Sequence, residues 1–235
     1  MRSIFVIFFV LLVRCGVPRY TGCVQNPSFT LEQQLTRDGF SIIAGADEAG
    51  RGAWAGPIVA AAVILDPRVS IRGIKDSKLL TPKRREALYT EITGSAQWAI
   101  GSVGVADIDA HGIGWANVRA LESAIHALQP KPGFAIIDGT LRLSLRVPYR
   151  SVINGDMLST SIAASSIIAK VTRDRILTKM HDEFPAYGFD RHRGYGTAAH
   201  VAALHRHGIT PHHRTSFSPI RYLLSGSAMT NDSPM

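Results

Sequence analysis

Cysteine is nearly absent from this chain. Cys15 and Cys23 are the only two, and both precede the part with a globular pattern. That excludes a disulfide framework and a Cys-based zinc site, and it leaves a core compatible with a reducing compartment. Nor is there an apolar run long enough to cross a bilayer, which takes about 20 residues. Ile4 to Val13 is an unbroken run of ten between Arg2 and Arg14. It has the length of a signal-peptide core, but Arg14 follows at once, no small-x-small cleavage site appears, and Arg14 spoils a lipobox at Cys15. Residues 1–23 are read as an apolar extension outside the fold, from an upstream start or as a signal-like segment. Acids are also scarce. Lys plus Arg number 26 against 18 Asp plus Glu, a net charge of +8, which favours a polyanionic partner, nucleic acid or an anionic membrane surface.

What is present is a core. A chain of 235 residues with 46% hydrophobic residues suffices for one sizeable domain. Its organising stretch is Ile42 to Leu65, IIAGADEAGRGAWAGPIVAAAVIL. Two apolar runs, Ser41–Ala46 and Ile58–Leu65, predict two short buried strands. Asp47 and Glu48 fall where the first should end, followed by Gly50-Arg51-Gly52, with Gly56-Pro57 closing the loop. A carboxylate at the end of a buried strand loses hydration worth several kcal/mol unless a cation or strong donors compensate. The competing reading is a polar hairpin loop with an Asp capping a turn. Glycines let backbone approach a ligand, and Arg51 between them suits a phosphate.

The rest is read in order. Residues 24–40 predict a short helix leading into the first strand. Thr81 before Pro82 marks a helix start, with Leu88 and Ile92 on one face of Pro82–Thr93. That places Lys75, Lys78, Lys83, Arg84 and Arg85 on a basic loop and first turn. Gln97–Val105 predicts a third strand, Asp107 a cap for the next helix, and Val118, Leu121, Ile125 and Leu128 its apolar stripe. Phe134–Ile137 predicts a buried strand ending in Asp138-Gly139, a second acid needing compensation. After Tyr149–Ile153 and Asn154-Gly155-Asp156, a long helix is predicted over Ser159–Glu183, buried through Ala163, Ala164, Ile167, Ile168, Val171 and Ile176, with Lys170 and Asp174 as an i,i+4 pair. Residues Tyr187–Arg214 hold six of the nine histidines. Zinc at His205, His207, His212 and His213 lacks a partnering Cys or an H-E-x-x-H spacing, so a basic nucleic-acid face is the more economical reading. Thr197–His207 predicts a helix ended by Gly208, and the last fifteen residues a loose polar end.

Taken as whole strings, these stretches resemble the ribonuclease HII family. Its G-x-D-E-x-G-R-G motif and the following G-P-x-V-x-A-A-V are matched by Gly45, Asp47, Glu48, Gly50, Arg51, Gly52, Gly56, Pro57, Val59, Ala61, Ala62 and Val63. D-S-K-x-L is matched by Asp76, Ser77, Lys78 and Leu80. Asp156, Ser161, Lys170, Arg173 and Asp174 match the long-helix motif. His192, Gly194, Tyr195 and Thr197 match H-x-G-Y-x-T, and His212, His213, Arg214, Ser216 and Phe217 match H-H-R-x-S-F. Asn154 departs from the pattern, since many relatives carry Lys there.

The resemblance implies an α/β, RNase H-like fold: a mixed central β-sheet flanked by helices, with a small C-terminal helical part from about residue 185. It implies a catalytic domain over residues 24–225 and a flexible tail over 226–235. The implied enzyme is a cytoplasmic, monomeric endoribonuclease that hydrolyses the RNA strand of RNA–DNA hybrids and incises 5′ of single ribonucleotides in duplex DNA. Asp47, Glu48, Asp138 and Asp156 would be its catalytic and metal-binding residues. Oxygen-only ligands select hard cations, so Mn²⁺ or Mg²⁺ in a two-metal site is implied. Gly50, Arg51, Gly52, Lys78, Ser161, Lys170 and Tyr195 would touch the substrate. The other classes weighed are a DEDD-type exonuclease, whose first motif usually separates Asp and Glu by one residue, ribonuclease HIII with its extra N-terminal domain, and a basic binding module without catalysis.

Overall fold

The computed structural model describes residues 26–69 and 71–225; the apolar run at Ile4–Val13 and the expected tail over 226–235 lie outside them. Five strands form one sheet in the order β3-β2-β1-β4-β5. They are β1 Ile43–Ala49, β2 Ile58–Ile64, β3 Gln97–Val103, β4 Phe134–Asp138 and β5 Tyr149–Val152. The first three make an antiparallel meander, whereas β4 pairs with β1, and β5 with β4, in parallel. The sheet is therefore mixed. Helices α1 Thr30–Arg37, α2 Pro82–Ser95, α3 Val105–His111, α4 Ile113–Ala127, α5 Gly155–Leu158 and α6 Thr160–Glu183 flank it. Helices α7 Phe189–His192, α8 Ala198–His207 and α9 Ser218–Leu224 make up the C-terminal part. No helix among the described residues is long and apolar enough to cross a membrane.

Alternation along the strands divides the core into two layers. Ala44, Ala46, Ala60 and Ala62 pack under α4, against Ala116, Ala120, Leu121, Ala124 and Ile125. Ala61 and Val63 face the other way, onto Ala163, Ala164, Ile167 and Ile168 of α6 and Leu88 and Ile92 of α2. Each Leu or Ile so buried contributes about 1.5–3 kcal/mol. The small residues set the spacing. A Cβ on Gly45 would lie 2.2 Å from the Ser161 carbonyl carbon and 2.4 Å from the Ile162 amide nitrogen, so α6 rests on bare backbone of the central strand.

Side-chain caps start α2, α6 and α8, the last with Thr197 accepting from the His200 amide. Thr81 accepts from the Arg84 amide to start α2. Ser159 accepts from the Ile162 amide to start α6, and its own hydroxyl donates to the buried Glu32 of α1 at 2.6 Å. Four expectations need correction. The first strand does not stop at Ala46, because its ladder with β2 carries on through Asp47 and Glu48 to Ala49. Asp107 sits in the first turn of α3 and not at its cap, which is Gly104. Leu177, not Ile176, is the fully buried residue near the end of α6. Finally, residues 221–224, the start of the last fifteen expected to be loose, are helical as the end of α9, which is anchored by the fully buried Ile220.

Since the Gly45 neighbour is backbone and cannot rotate away, Gly45→Ala must push α6 off the sheet. Chemical denaturation should report a loss of about 2 kcal/mol or more.

Candidate active site

Parallel pairing of β1 and β4 builds the site. Ala46 lies opposite Ile137, so the next residues, Asp47 and Asp138, emerge side by side at the carboxyl ends of the two neighbouring strands. Asp138 is held there by the Gly155 amide, which donates to its Oδ1 at 2.7 Å. Asn154 occupies the left-handed region at φ 54°, a conformation Asn tolerates better than most side chains. It turns the chain from β5 into α5 and brings Asp156 in beside Asp138. Lys78 Nζ stands 3.9 Å from Asp156 Oδ2, on a loop whose Asp76 accepts from the Lys78 amide.

Burial and like charge act together on these groups. Asp47 is 6% exposed. Burial first, and then the charges of Glu48, Asp138 and Asp156, push its pKa well above the ordinary carboxylate value. Asp156 is raised to about 6 by burial, Asp76 and Asp138, with Lys78 opposing. Burial also raises Glu48. For Lys78 burial works downwards, but Asp76, Asp156, Asp47 and Asp138 raise it, so one lysine senses four carboxylates, three of them from other chain segments. Among the described residues no three His, Cys, Asp or Glu side chains close into a metal cage. The carboxylates stand apart, as charges of one sign do, while remaining in electrostatic reach of one another.

Sequence reasoning missed Asn117. By alternation Glu48 lies on the Ala44–Ala46 side of β1, the side α4 covers, and Asn117 is a fully buried residue of α4. The Asn117 amide favours the charged form of Glu48, yet neither its Nδ2 nor its Oδ1, nor Glu48 Oε2, has a hydrogen-bond partner of full geometry. Its only sequence signal is its place beside Val118 of the apolar stripe.

The glycine-rich loop is secured from far along the chain. Arg173 and Arg214 are fully buried. Arg173 donates to the carbonyls of Pro57, Arg193 and Ala55, and Arg214 to those of Gly56 and Arg51, at 2.9–3.0 Å. This leaves Arg51 and Gly52 exposed and Gly50 buried. Tyr195 is 39% exposed, with Arg173 and Lys170 at 5.6 and 6.0 Å from its ring centre. Lys170 also pairs with Asp174 at 2.7 Å.

Three expectations are corrected here. Ser161, expected to touch substrate, is 1% exposed, and its amide donates to Glu32, so it belongs to the packing beneath the site. Arg85 is not a surface cation. It is buried and donates to the carbonyls of Ser77 and Leu80. The histidine-rich segment is not simply a basic face, because His200 and His213 are buried. Burial pushes both down to about 4, so they are neutral at pH 7.

A sequence model of the ribonuclease HII family matches residues 44–220. The chain belongs to the ribonuclease HII family. It is 48% identical over 194 residues to ribonuclease HII of Nitrobacter hamburgensis, covering 83% of this chain and 73% of that one. It is 45% identical over 205 residues to ribonuclease HII of Ruegeria sp. (strain TM1040), covering 87% and 90%. The crystal structure of ribonuclease H2 from Pyrococcus horikoshii OT3 superposes with a TM-score of 0.68 at 26% identity, over 79% of this chain and 98% of that one. The chain is accordingly a hydrolase, an endoribonuclease of the RNase H type acting on the RNA strand of RNA–DNA hybrids. This removes the exonuclease and non-catalytic readings. The mixed sheet with flanking helices is the expected RNase H-like fold.

The buried histidines predict acid sensitivity. Unfolded His titrates near 6.5, so between pH 6.5 and about 4 the unfolded chain binds more protons, and stability falls as pH falls through that window. His192 and His212 add repulsion to a proton on the pair, whereas Asp156, raised to about 6, works in the opposite direction. The urea midpoint of wild type should therefore drop more steeply from pH 7 to 4.5 than that of His200→Gln.

Proposed function

We propose that this enzyme cuts on the 5′ side of single ribonucleotides embedded in duplex DNA, as well as within hybrids, by metal-dependent phosphodiester hydrolysis giving 5′-phosphate and 3′-hydroxyl ends. The observation carrying this reading is the set of acids at the ends of β1 and β4. Asp47 and Asp156 are buried, Glu48 has an orphaned oxygen, and the cations in reach, Lys78 and Arg51, are exposed. Such a donor set, all oxygen and short of positive charge, fits a hard divalent ion, Mg²⁺ or Mn²⁺. Asp47, Glu48, Asp138 and Asp156 would hold it. Bound ions supply an activated water and charge stabilisation for the departing 3′-oxygen.

The chain's own groups do the rest. The Asp138 carboxylate is fixed by the Gly155 amide, so its free oxygen keeps one direction. Lys78 reaches past the acids into solvent, where a scissile phosphate arrives. Arg51 and Gly52 form the rim, suited to a sugar-phosphate and to the 2′-hydroxyl that separates RNA from DNA. Tyr195 offers a ring to the adjoining deoxyribose, with Lys170 behind it. Ribonucleotide removal during DNA replication and repair, by a monomer in the cytoplasm, is the setting that fits a net charge of +8 and the family.

Two substitutions test the reading. Asp138→Asn should reduce cleavage of both substrates at least about 100-fold while leaving duplex affinity within about twofold, measured by incision assay and fluorescence anisotropy. Wild-type turnover in that variant would take Asp138 out of the site. Tyr195→Ala should impair incision at a single ribonucleotide more than cutting of a long hybrid. Equal losses would leave Tyr195 a structural role alone.

A further inference from the structure

Tyr195 is an exposed ring on a loop whose flanks cannot hold it by side chains. A Cβ on Gly194 would lie 2.5 Å from the Ala55 carbonyl oxygen, and one on Gly196 would lie 2.1 Å from the Trp54 ring. The loop is wedged at backbone level, and the position of Tyr195 rests on its main-chain bonds. Its amide donates to the His192 carbonyl at 3.0 Å. Its carbonyl accepts from the Thr197 amide at 2.8 Å and bonds His200 Nδ1 at 3.0 Å.

Proton positions behind that last bond are fixed by one backbone amide. Thr210 N–H donates to His213 Nδ1 at 2.8 Å, so that nitrogen must present a lone pair and the His213 proton sits on Nε2. His213 Nε2 is 3.0 Å from His200 Nε2. His213 therefore donates, His200 Nε2 accepts, and the His200 proton is left on Nδ1, aimed at the Tyr195 carbonyl. His192 closes the arrangement. It accepts the Gly194 amide on Nδ1 and directs its Nε2 proton to the Tyr187 carbonyl at 2.6 Å, and its ring stacks on His200 with centroids 4.3 Å apart. All three imidazoles are neutral with a single arrangement of protons. A second proton would set N–H against N–H, on His200 across the 3.0 Å contact with His213 and on His213 across the 2.8 Å contact with the Thr210 amide. Depressed pKa values for all three agree with this, burial being the first cause in each.

We infer that His200 and His213 are positioning residues of the reaction: a one-directional hydrogen-bond relay from Thr210 to the Tyr195 carbonyl that holds the Tyr195 ring at the height where the sugar beside the scissile bond rests. The inference depends on the proposed role of Tyr195. Neither histidine touches substrate. They also pack against Trp54, Tyr187 and Phe189, but their one bond to Tyr195 is through its carbonyl, and that makes the prediction specific: removing the relay and removing the ring should not add.

The test is a double-mutant cycle on a DNA duplex with one ribonucleotide, using Tyr195→Ala, His213→Leu and the double variant, with Mn²⁺ binding by calorimetry as a second readout. His213→Leu should lower kcat/KM about tenfold. In the Tyr195→Ala background the same change should cost less than about twofold, and Mn²⁺ affinity should match wild type throughout. Losses that multiply, or a weakened Mn²⁺ isotherm in His213→Leu, would overturn the relay and leave the histidines as packing. A harmless Tyr195→Ala would instead sink the role of Tyr195, a distinguishable failure. Should His213→Leu not fold, His200→Gln enters the same cycle and the same non-additivity decides.

Discussion

Everything in this structure answers to the cost of placing like charges at the ends of two adjacent buried strands. Asp47 and Asp138 stand side by side because β1 and β4 are parallel and in register, and a parallel pair delivers both carboxyl ends to one edge. Glu48 follows Asp47 in the chain, and Asp156 arrives on the first turn of α5. Burial and mutual repulsion raise Asp47, Glu48 and Asp156, so the protein alone holds them under strain that a hard cation would relieve. A site that destabilises its own scaffold is what selection for catalysis leaves behind.

The remainder of the fold makes that cost bearable. Gly45 lets α6 sit directly on the central strand, and the alanine-rich faces of β1 and β2 keep both helical layers close to the sheet. Close layers mean a rigid floor under the acids. Arg173 of α6 and Arg214 of the C-terminal part add rigidity by occupying the carbonyls of the Arg51–Pro57 loop, so this loop is fixed by main-chain contacts while the Arg51 side chain is exposed.

Much of this was legible in the residues. Apolar runs bounded by glycine and proline gave the strands, Thr81-Pro82 and Ser159 gave helix starts, and the motif strings gave the acids and the family. What the sequence hid follows from long-range contacts. The strand boundary at Ala46 was misplaced because acids count against strand propensity, while their backbone still pairs with Ala60 and Ala61. Asn117, beside Val118 of the apolar stripe, carries no signal of its own until β1 lies against it. His200, His213, Arg85, Arg173 and Arg214 are polar by type, and only neighbouring carbonyls and rings reveal that they are interior. Composition reads them as surface, and partners decide otherwise.

The bond from Arg214 to the Arg51 carbonyl spans 163 positions, and it bears on how the enzyme is made. Synthesis delivers domains from the N-terminus onwards. A nascent chain emerging from the ribosome therefore carries all four carboxylates well before it carries the arginine that braces the Arg51–Pro57 loop. The Arg51–Pro57 loop thus gains its second brace only when nearly the whole chain has been made.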